Sequence, residues 1–195
     1  QQNMACFNML NTKYVITQNQ QTGAFMAQRN PGACGNAWAV GSVELVKDAD
    51  AEMAALSTFN PKQQAIVDQR YSEYFAGKTS YAPAKVALSN YDPKYMEYSF
   101  EGGESFVVFS EIFYEGSGDD WQAYIDEEPV DHIRTNYLLR GLKVPAGKHS
   151  IVFEFKPKSY YVGKQINMAG SAIILLLLIF FGYTSFKERK VSAEA

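Results

Sequence analysis

Cysteine and histidine are scarce in this chain, and over its whole length basic charge does not outweigh acidic. The only cysteines are Cys6 and Cys34, and the only histidines are His132 and His149. The histidines have no metal-ligand spacing and no cysteine beside them, which disfavours zinc and leaves ordinary surface histidines as the default reading. One disulfide between Cys6 and Cys34 is permitted outside the cytoplasm, and two buried free thiols account for them equally well. With 18 basic against 21 acidic residues and a pI near 5.5, nothing in the chain suits a phosphate backbone, and nucleic acid is excluded as a partner. Internal repeats and low-complexity tracts are absent too. What remains, 47% apolar and 20% charged, describes a folded protein and rules out disorder, collagen and coiled coil. Thirteen Tyr and thirteen Phe point to β structure, because flat rings pack well on pleated surfaces.

One absence is local and decisive. Gln165 to Phe186 carry no charge over 22 residues, centred on the run Ala172 to Phe181. As a helix this stretch is about 33 Å long, enough for a hydrocarbon core of about 30 Å, and it reads as a single transmembrane helix. A buried core helix would need protein on every side, and little chain remains to supply it. Tyr160, Tyr161 and Tyr183 suit the two interfacial belts. Lys187, Arg189 and Lys190 after the helix balance Lys156, Lys158 and Lys164 before it, so charge barely sets the orientation. The chain opens on Gln1-Gln2-Asn3-Met4, with neither an initiator Met nor a signal peptide, and reads as a fragment of a longer protein.

Before the helix, short elements alternate with turns. Lys13 to Thr17, Phe25 to Gln28 and Ala37 to Val46 read as strands, the last two separated by the turn-rich Arg29 to Asn36. Asp48 to Leu56 has acids in its first turn and apolar residues at Ala49, Met53 and Leu56, a short helix. Asn60-Pro61-Lys62-Gln63 repeats a helix-start pattern and predicts a single helical turn leading into Ala65-Ile66-Val67. From Lys85 onward the chain reads as strands: Tyr95 to Glu101 and Glu104 to Tyr114 as a hairpin around Gly102-Gly103, then Trp121 to Ile125, Val130 to Arg134, Tyr137 to Val144 and His149 to Phe155, with Pro145-Ala146-Gly147 as the last turn. Ile151, Phe153 and Phe155 alternate with Val152, Glu154 and Lys156, so one sheet face is buried. The expected fold is mainly β: a small α/β segment over 1–80, a β-sandwich-like domain over 81–163, one transmembrane helix over 164–186 and a tail over 187–195.

Charge within the β half is segregated. Residues 101 to 131 hold ten acids and no Lys or Arg, whereas His132 to Lys164 hold seven basic residues and one acid, Glu154. Cross-strand pairing explains this, and so does a site for a polar or cationic ligand. Glu111 and Asp126 are candidates for the paired carboxylates of a glycoside hydrolase, though no motif flanks them. Gly116 to Asp120 offers oxygens to Ca²⁺ without the spacing of an EF-hand and reads more simply as a solvated turn. No residues call for a metal or cofactor. Trp38, Trp121 and Tyr124 have the flat apolar faces that stack on sugar rings, but large aromatics in a sandwich more often belong to the core. A period of two puts Trp121, Ala123 and Ile125 on one face and Gln122, Tyr124 and Asp126 on the other; the first set is the more apolar.

An ordered series of motifs spans nearly the whole chain. Asn11 to Ile16, Asn30-Pro31, Gly35 to Trp38 and Ala65 to Asp68 are followed by Phe109 to Tyr114, Trp121 to Asp126, Arg134 to Arg140 and Val144 to His149. In order and spacing they resemble the C-terminal part of YfhO-like bacterial membrane proteins of the Bacteroidetes type. The chain departs from that pattern in the longer Glu115 to Asp120 loop before Trp121, and in Asp126-Glu127 where Asp-Gly is usual. The resemblance implies a multi-pass protein of the glycosyltransferase class that takes sugars from polyprenyl-phosphate carriers, its catalytic acid lying in an early outer loop outside this chain. It also implies an extracytoplasmic domain on the bacterial inner membrane with the tail from Lys187 in the cytoplasm. The partners would be the bilayer, upstream membrane helices, a lipid-linked sugar and an acceptor glycan. The domain would hold the acceptor or cover the active site rather than perform transfer. Candidate ligand-binding residues in these motifs are Glu111, Tyr114, Tyr124, Asp126, Arg134 and Asn136. The alternative is a membrane-anchored carbohydrate-binding or structural β-sandwich with no enzyme attached.

Overall fold

The computed structural model describes residues 3–114 and 120–193, with side chains as far as Thr184. Helix α1 (Met4–Met9) is capped by Asn3, whose side chain accepts from the Ala5 and Cys6 amides. A hairpin of β1 (Tyr14–Gln18) and β2 (Phe25–Arg29) follows, then β3 (Ala37–Val40) and β4 (Ser42–Val46). Helix α2 (Ala49–Ala55) begins where its sequence predicts, with the Asp48 carboxylate accepting from the Ala51 amide. Strand β5 (Gln64–Asp68) lies parallel to β4, and α3 (Ser72–Phe75) closes this N-terminal part. The remaining strands are β6 (Ala84–Asp92), β7 (Tyr95–Gly102), β8 (Ser105–Ile112), β9 (Trp121–Ile125), β10 (Glu128–Val130), β11 (Ile133–Thr135), β12 (Leu139–Val144) and β13 (Gly147–Phe155).

These strands build two sheets packed face to face, one ordered β10-β9-β13-β7-β6 and the other β11-β12-β8-β3. The fold is therefore mainly β, as expected. Tyr98, Phe109, Leu142, Ile151 and Phe153 fill the space between the sheets. Strand β8 is buried on both faces: its Phe106 and Val108 turn away from that core to meet Trp38, Ile66, Phe75 and Leu139 in a second one beneath β4, β5 and the short helices. The described residues up to Phe155 form one compact unit. Strand β3, from the first eighty residues, is an edge strand of the four-stranded sheet, so that sheet crosses the division expected at residue 80.

Three local expectations are corrected. Asn60 to Gln63 is a turn, not a helix: the Asn60 carbonyl accepts from the Gln63 and Gln64 amides and its side chain from the Lys62 amide, and the chain runs straight into β5. Gly102-Gly103 is not a hairpin, because β7 and β8 belong to different sheets and neither glycine has a positive φ. What selects glycine there is space: a Cβ would lie 2.5 Å from the Ala84 Cβ at Gly102 and 2.6 Å from the Ala82 Cβ at Gly103. Val130 to Arg134 divides into β10 and β11, the chain crossing between the sheets at Asp131 and His132.

The second unit is helix α4 (Lys158–Ala193), of which Lys158–Thr184 is long and apolar enough to cross a membrane. Its apolar side chains from Ile173 to Phe181 are exposed, which removes the core-helix reading.

Candidate functional site

Beside the end of β8 and strands β9 and β10 lies a cleft of about 670 Å³. Phe113 and Tyr114 line it from one side, Trp121, Gln122 and Tyr124 from β9, and Asp120, Asp131 and His132 from the connecting segments. Tyr114 is exposed, and the Tyr124 hydroxyl donates to Gln122 Oε1 at 2.6 Å. Ala123 and Ile125 are buried in the sandwich, and Trp121 packs partly against the same core while its remaining surface faces the cleft. Trp121 thus belongs to the core face, as its alternation predicts, and to the cleft wall as well.

Behind Trp121 lies a buried charge. Arg140 is 2% exposed, with its guanidinium carbon 4.0 Å from the Trp121 ring centre and 5.3 Å from that of Phe153. Its Nε donates to the Ile112 carbonyl at 3.2 Å, while Nη1 is buried without a partner. Burial lowers the Arg140 pKa to about 10, opposed by the Glu111 charge, so the group stays cationic at neutral pH. His132 is wedged 5.4 Å from each of the Phe113 and Phe153 rings. Burial, reinforced by Arg140, drives its pKa down to about 4 and keeps the imidazole neutral. It is not the surface histidine its sequence context suggests.

Of the six candidate residues, Tyr114 and Tyr124 line the cleft, and the other four are placed elsewhere. Glu111 sits in a bulge of β8, where the register with β12 shifts, and burial raises its pKa against the pull of Arg140. Asp126 opens the two-residue turn between β9 and β10, with φ of 51° at Asp126 and 72° at Glu127, and this turn forms without the usual glycine. Its carboxylate receives the Ser150 amide at 2.8 Å and lies 2.5 Å from His149 Nδ1, contacts that hold its pKa below the usual carboxylate range. Glu111 and Asp126, in different sheets with different partners, do not form a carboxylate pair. His149, in contact with Asp126, lines a second depression of about 390 Å³ together with Lys85, Ser99, Phe100, Glu101 and Lys148.

Arg134 and Asn136 are structural. Arg134 Nη2 donates to Glu52 Oε2 at 2.9 Å and lies 3.9 Å from Asp68, while the other Glu52 oxygen accepts from the Tyr137 amide at 2.7 Å. Glu52 is fully buried; desolvation raises its pKa against these partners. Asn136, at φ 49°, accepts from the Ile66 amide at 2.8 Å and donates its own amide to the Ile66 carbonyl at 2.7 Å. Together they fasten β5 and α2 to the turn between β11 and β12. Trp38 is likewise core, its indole donating to the Pro61 carbonyl at 2.6 Å, which removes it as a sugar platform.

The segregated charges pair across strands only in part: Lys148 meets Glu101 at 3.1 Å in register, whereas Arg134 reaches back to the N-terminal part. Cys6 and Cys34 are free thiols packed against the second core. Among the described residues no group of three or more His, Cys, Asp or Glu is arranged to hold a metal. Gly116 to Asp119 of the acidic loop lie outside the described residues. No known protein family, curated protein or solved structure matches the chain.

Sequence reasoning reached Trp121 and Tyr124 through their aromaticity and Tyr114 through the Phe109 to Tyr114 motif, but missed Gln122, Asp131, His132 and Arg140 as one neighbourhood. No signal in the sequence would have found them, since Val130 to Arg134 reads there as one strand and nothing shows that Arg140 lies under Trp121.

Proposed function

We propose that the chain is a membrane-anchored, non-catalytic β-sandwich that holds a neutral glycan, serving as the extracytoplasmic accessory domain of a YfhO-like membrane glycosyltransferase. The observation that carries the glycan reading is the cleft, where Tyr114, Trp121 and Tyr124 offer flat apolar surface beside the polar side chains of Gln122 and Asp131. A pyranose presents that combination in mirror image, an apolar ring face edged with hydroxyl donors. The lining Asp131 disfavours an anionic sugar, and the neutral His132 adds no compensating charge. The membrane setting is supported by the apolar helix, and the glycosyltransferase setting by the ordered motifs of the sequence.

Full-length chain in lipid nanodiscs, screened on a glycan array and titrated against its hits, should bind neutral oligosaccharides. Tyr114→Ala and Tyr124→Ala should each lose that binding with unchanged melting curves, since Tyr114 is exposed and Tyr124 only part-buried. Retention of neutral glycans by both variants, or recognition of anionic glycans alone, refutes the cleft. The upstream coding sequence separates accessory domain from stand-alone binder: many hydrophobic spans with an acidic residue in the first outer loop support the former, a lone signal peptide the latter.

A further inference from the structure

We propose that the β1–β2 hairpin is a second membrane contact, a ribbon that lies against the headgroup region of an anionic bilayer; this rests on the reading of the chain as membrane-anchored. The two strands pair only with each other, and neither hydrophobic core includes any of their residues. Tyr14, Ile16, Phe25 and Met26 are 61%, 71%, 74% and 54% exposed. Three of these share a face, because the register sets Tyr14 opposite Arg29, Ile16 opposite Ala27 and Gln18 opposite Phe25. A two-stranded ribbon with its apolar face in water is marginal by itself, and contiguous exposed apolar surface marks a contact.

The base of the ribbon is fixed while its length is free. Asn30 Nδ2 donates to Asn8 Oδ1 at 2.8 Å and to the Thr12 carbonyl at 2.9 Å, and the Asn30 amide donates to the Lys13 carbonyl at 2.8 Å. These bonds tie the hairpin to α1, with Lys13 opposite Asn30 and Arg29 opposite Tyr14 on the apolar face; both cations are exposed at the root.

Charge selects the occupant. The first 43 residues contain no Asp or Glu, so the cations Lys13 and Arg29 have no local acid to offset them. A second copy docking through the same face would bring two copies of this basic root, each with Arg29 on the docking face, together and be repelled. An anionic lipid surface satisfies both features at once, taking the aromatic and aliphatic side chains at the level of the headgroups and Arg29, on the same face, beside phosphate, with Lys13 at the ribbon's root adding to the local positive charge. The apolar helix adds the second signal, since a chain already held at a bilayer needs little further affinity to rest a ribbon on it.

The test uses the full chain reconstituted into vesicles of phosphatidylcholine alone, or of phosphatidylcholine with phosphatidylglycerol, each with dibrominated acyl chains. Phe25→Trp should emit to the blue of a water-exposed indole and lose fluorescence to the bromine beyond the wild-type background from Trp38 and Trp121. That loss should be larger with phosphatidylglycerol and fall with added salt. Red emission without excess quenching would place the ribbon in water and overturn the proposal. Blue emission without quenching would overturn it in favour of a protein cover, which cross-linking identifies as a second copy if dimers form. Alkaline-carbonate extraction is run alongside: release of the chain defeats the anchored reading itself, whereas a retained chain with unquenched Trp defeats only the ribbon contact.

Discussion

A guanidinium that is almost wholly buried with one amino group unpaired, as in Arg140, is costly unless its surroundings make use of it. Here the use is to hold the Trp121 ring, which offers its remaining surface to the cleft. Arg140→Met keeps the stem and removes the charge. Because an apolar replacement also relieves desolvation, stability should stay within about 1 kcal/mol of wild type despite loss of the bond to Ile112. Glycan affinity should fall by about two- to thirty-fold, equivalent to losing a cation–π contact of about 0.5–2 kcal/mol. Calorimetric titration with thermal melts checks this; unchanged affinity would show that Trp121 is oriented without Arg140. His132 makes a separate, pH-dependent prediction. Its pKa is about 4 folded against 6.5 in its ordinary state, so between those values the unfolded chain takes up a proton that the folded chain refuses. Stability is lost as pH falls through that window, by up to about 3 kcal/mol. His132→Phe keeps the ring between Phe113 and Phe153 and should flatten this part of the acid profile, as urea unfolding at pH 7, 5.5 and 4.5 would show; parallel profiles would refute it. Residues of this kind are the least legible in a sequence. Arg134 and Arg140 look alike there, yet one pairs with Glu52, 82 positions away, and the other with an indole.

Elements were legible where their period was, and illegible where two elements had to find each other. Alternation in β9 and β13 identified strands and the buried face, because a sheet face is a property of one strand. It could not say that β7 and β8 part into separate sheets, and Gly-Gly reads the same whether it supplies positive φ or clearance for Ala82 and Ala84. The turn between β11 and β12 shows what sequence reading misses at this scale. The parallel pair β4–β5 has only two strands, and Asn136 extends it by bonding both main-chain groups of Ile66. Asn136→Ala leaves a buried amide unsatisfied and places a Cβ-bearing residue without local hydrogen bonding in the left-handed region. The expected loss is about 2–4 kcal/mol. Asn136→Gly relieves the backbone and should cost less. Chemical denaturation of both variants measures the difference, and equal losses would mean that the side-chain bond alone matters.

At the scale of the whole molecule, the apolar helix was the most legible feature, since a charge-free run longer than a bilayer is thick has few other uses. The two-core arrangement of residues 1–155 was not, because it depends on β8 burying both faces and on β3 crossing into the C-terminal sheet. The helix leads to the last prediction. The 27-residue stretch Lys158–Thr184 exposes apolar side chains along its length, and moving them from lipid to water costs far more than any headgroup contact returns. The full chain should therefore stay in the membrane pellet after alkaline carbonate, and a chain ending at Phe155 should be released. Orientation is a separate matter, because the lysines and arginines at the two ends of the helix nearly balance. The proposed topology places residues before Lys164 outside the cytoplasm and residues after Phe186 inside it. In a background with Cys6 and Cys34 replaced by serine, Lys85→Cys, at an exposed position on β6, should react with a membrane-impermeant maleimide in intact spheroplasts. Ser192→Cys should react only after permeabilisation. The reverse pattern would invert the topology and move the glycan cleft to the cytoplasmic side, where a lipid-linked donor used outside the membrane could not meet it.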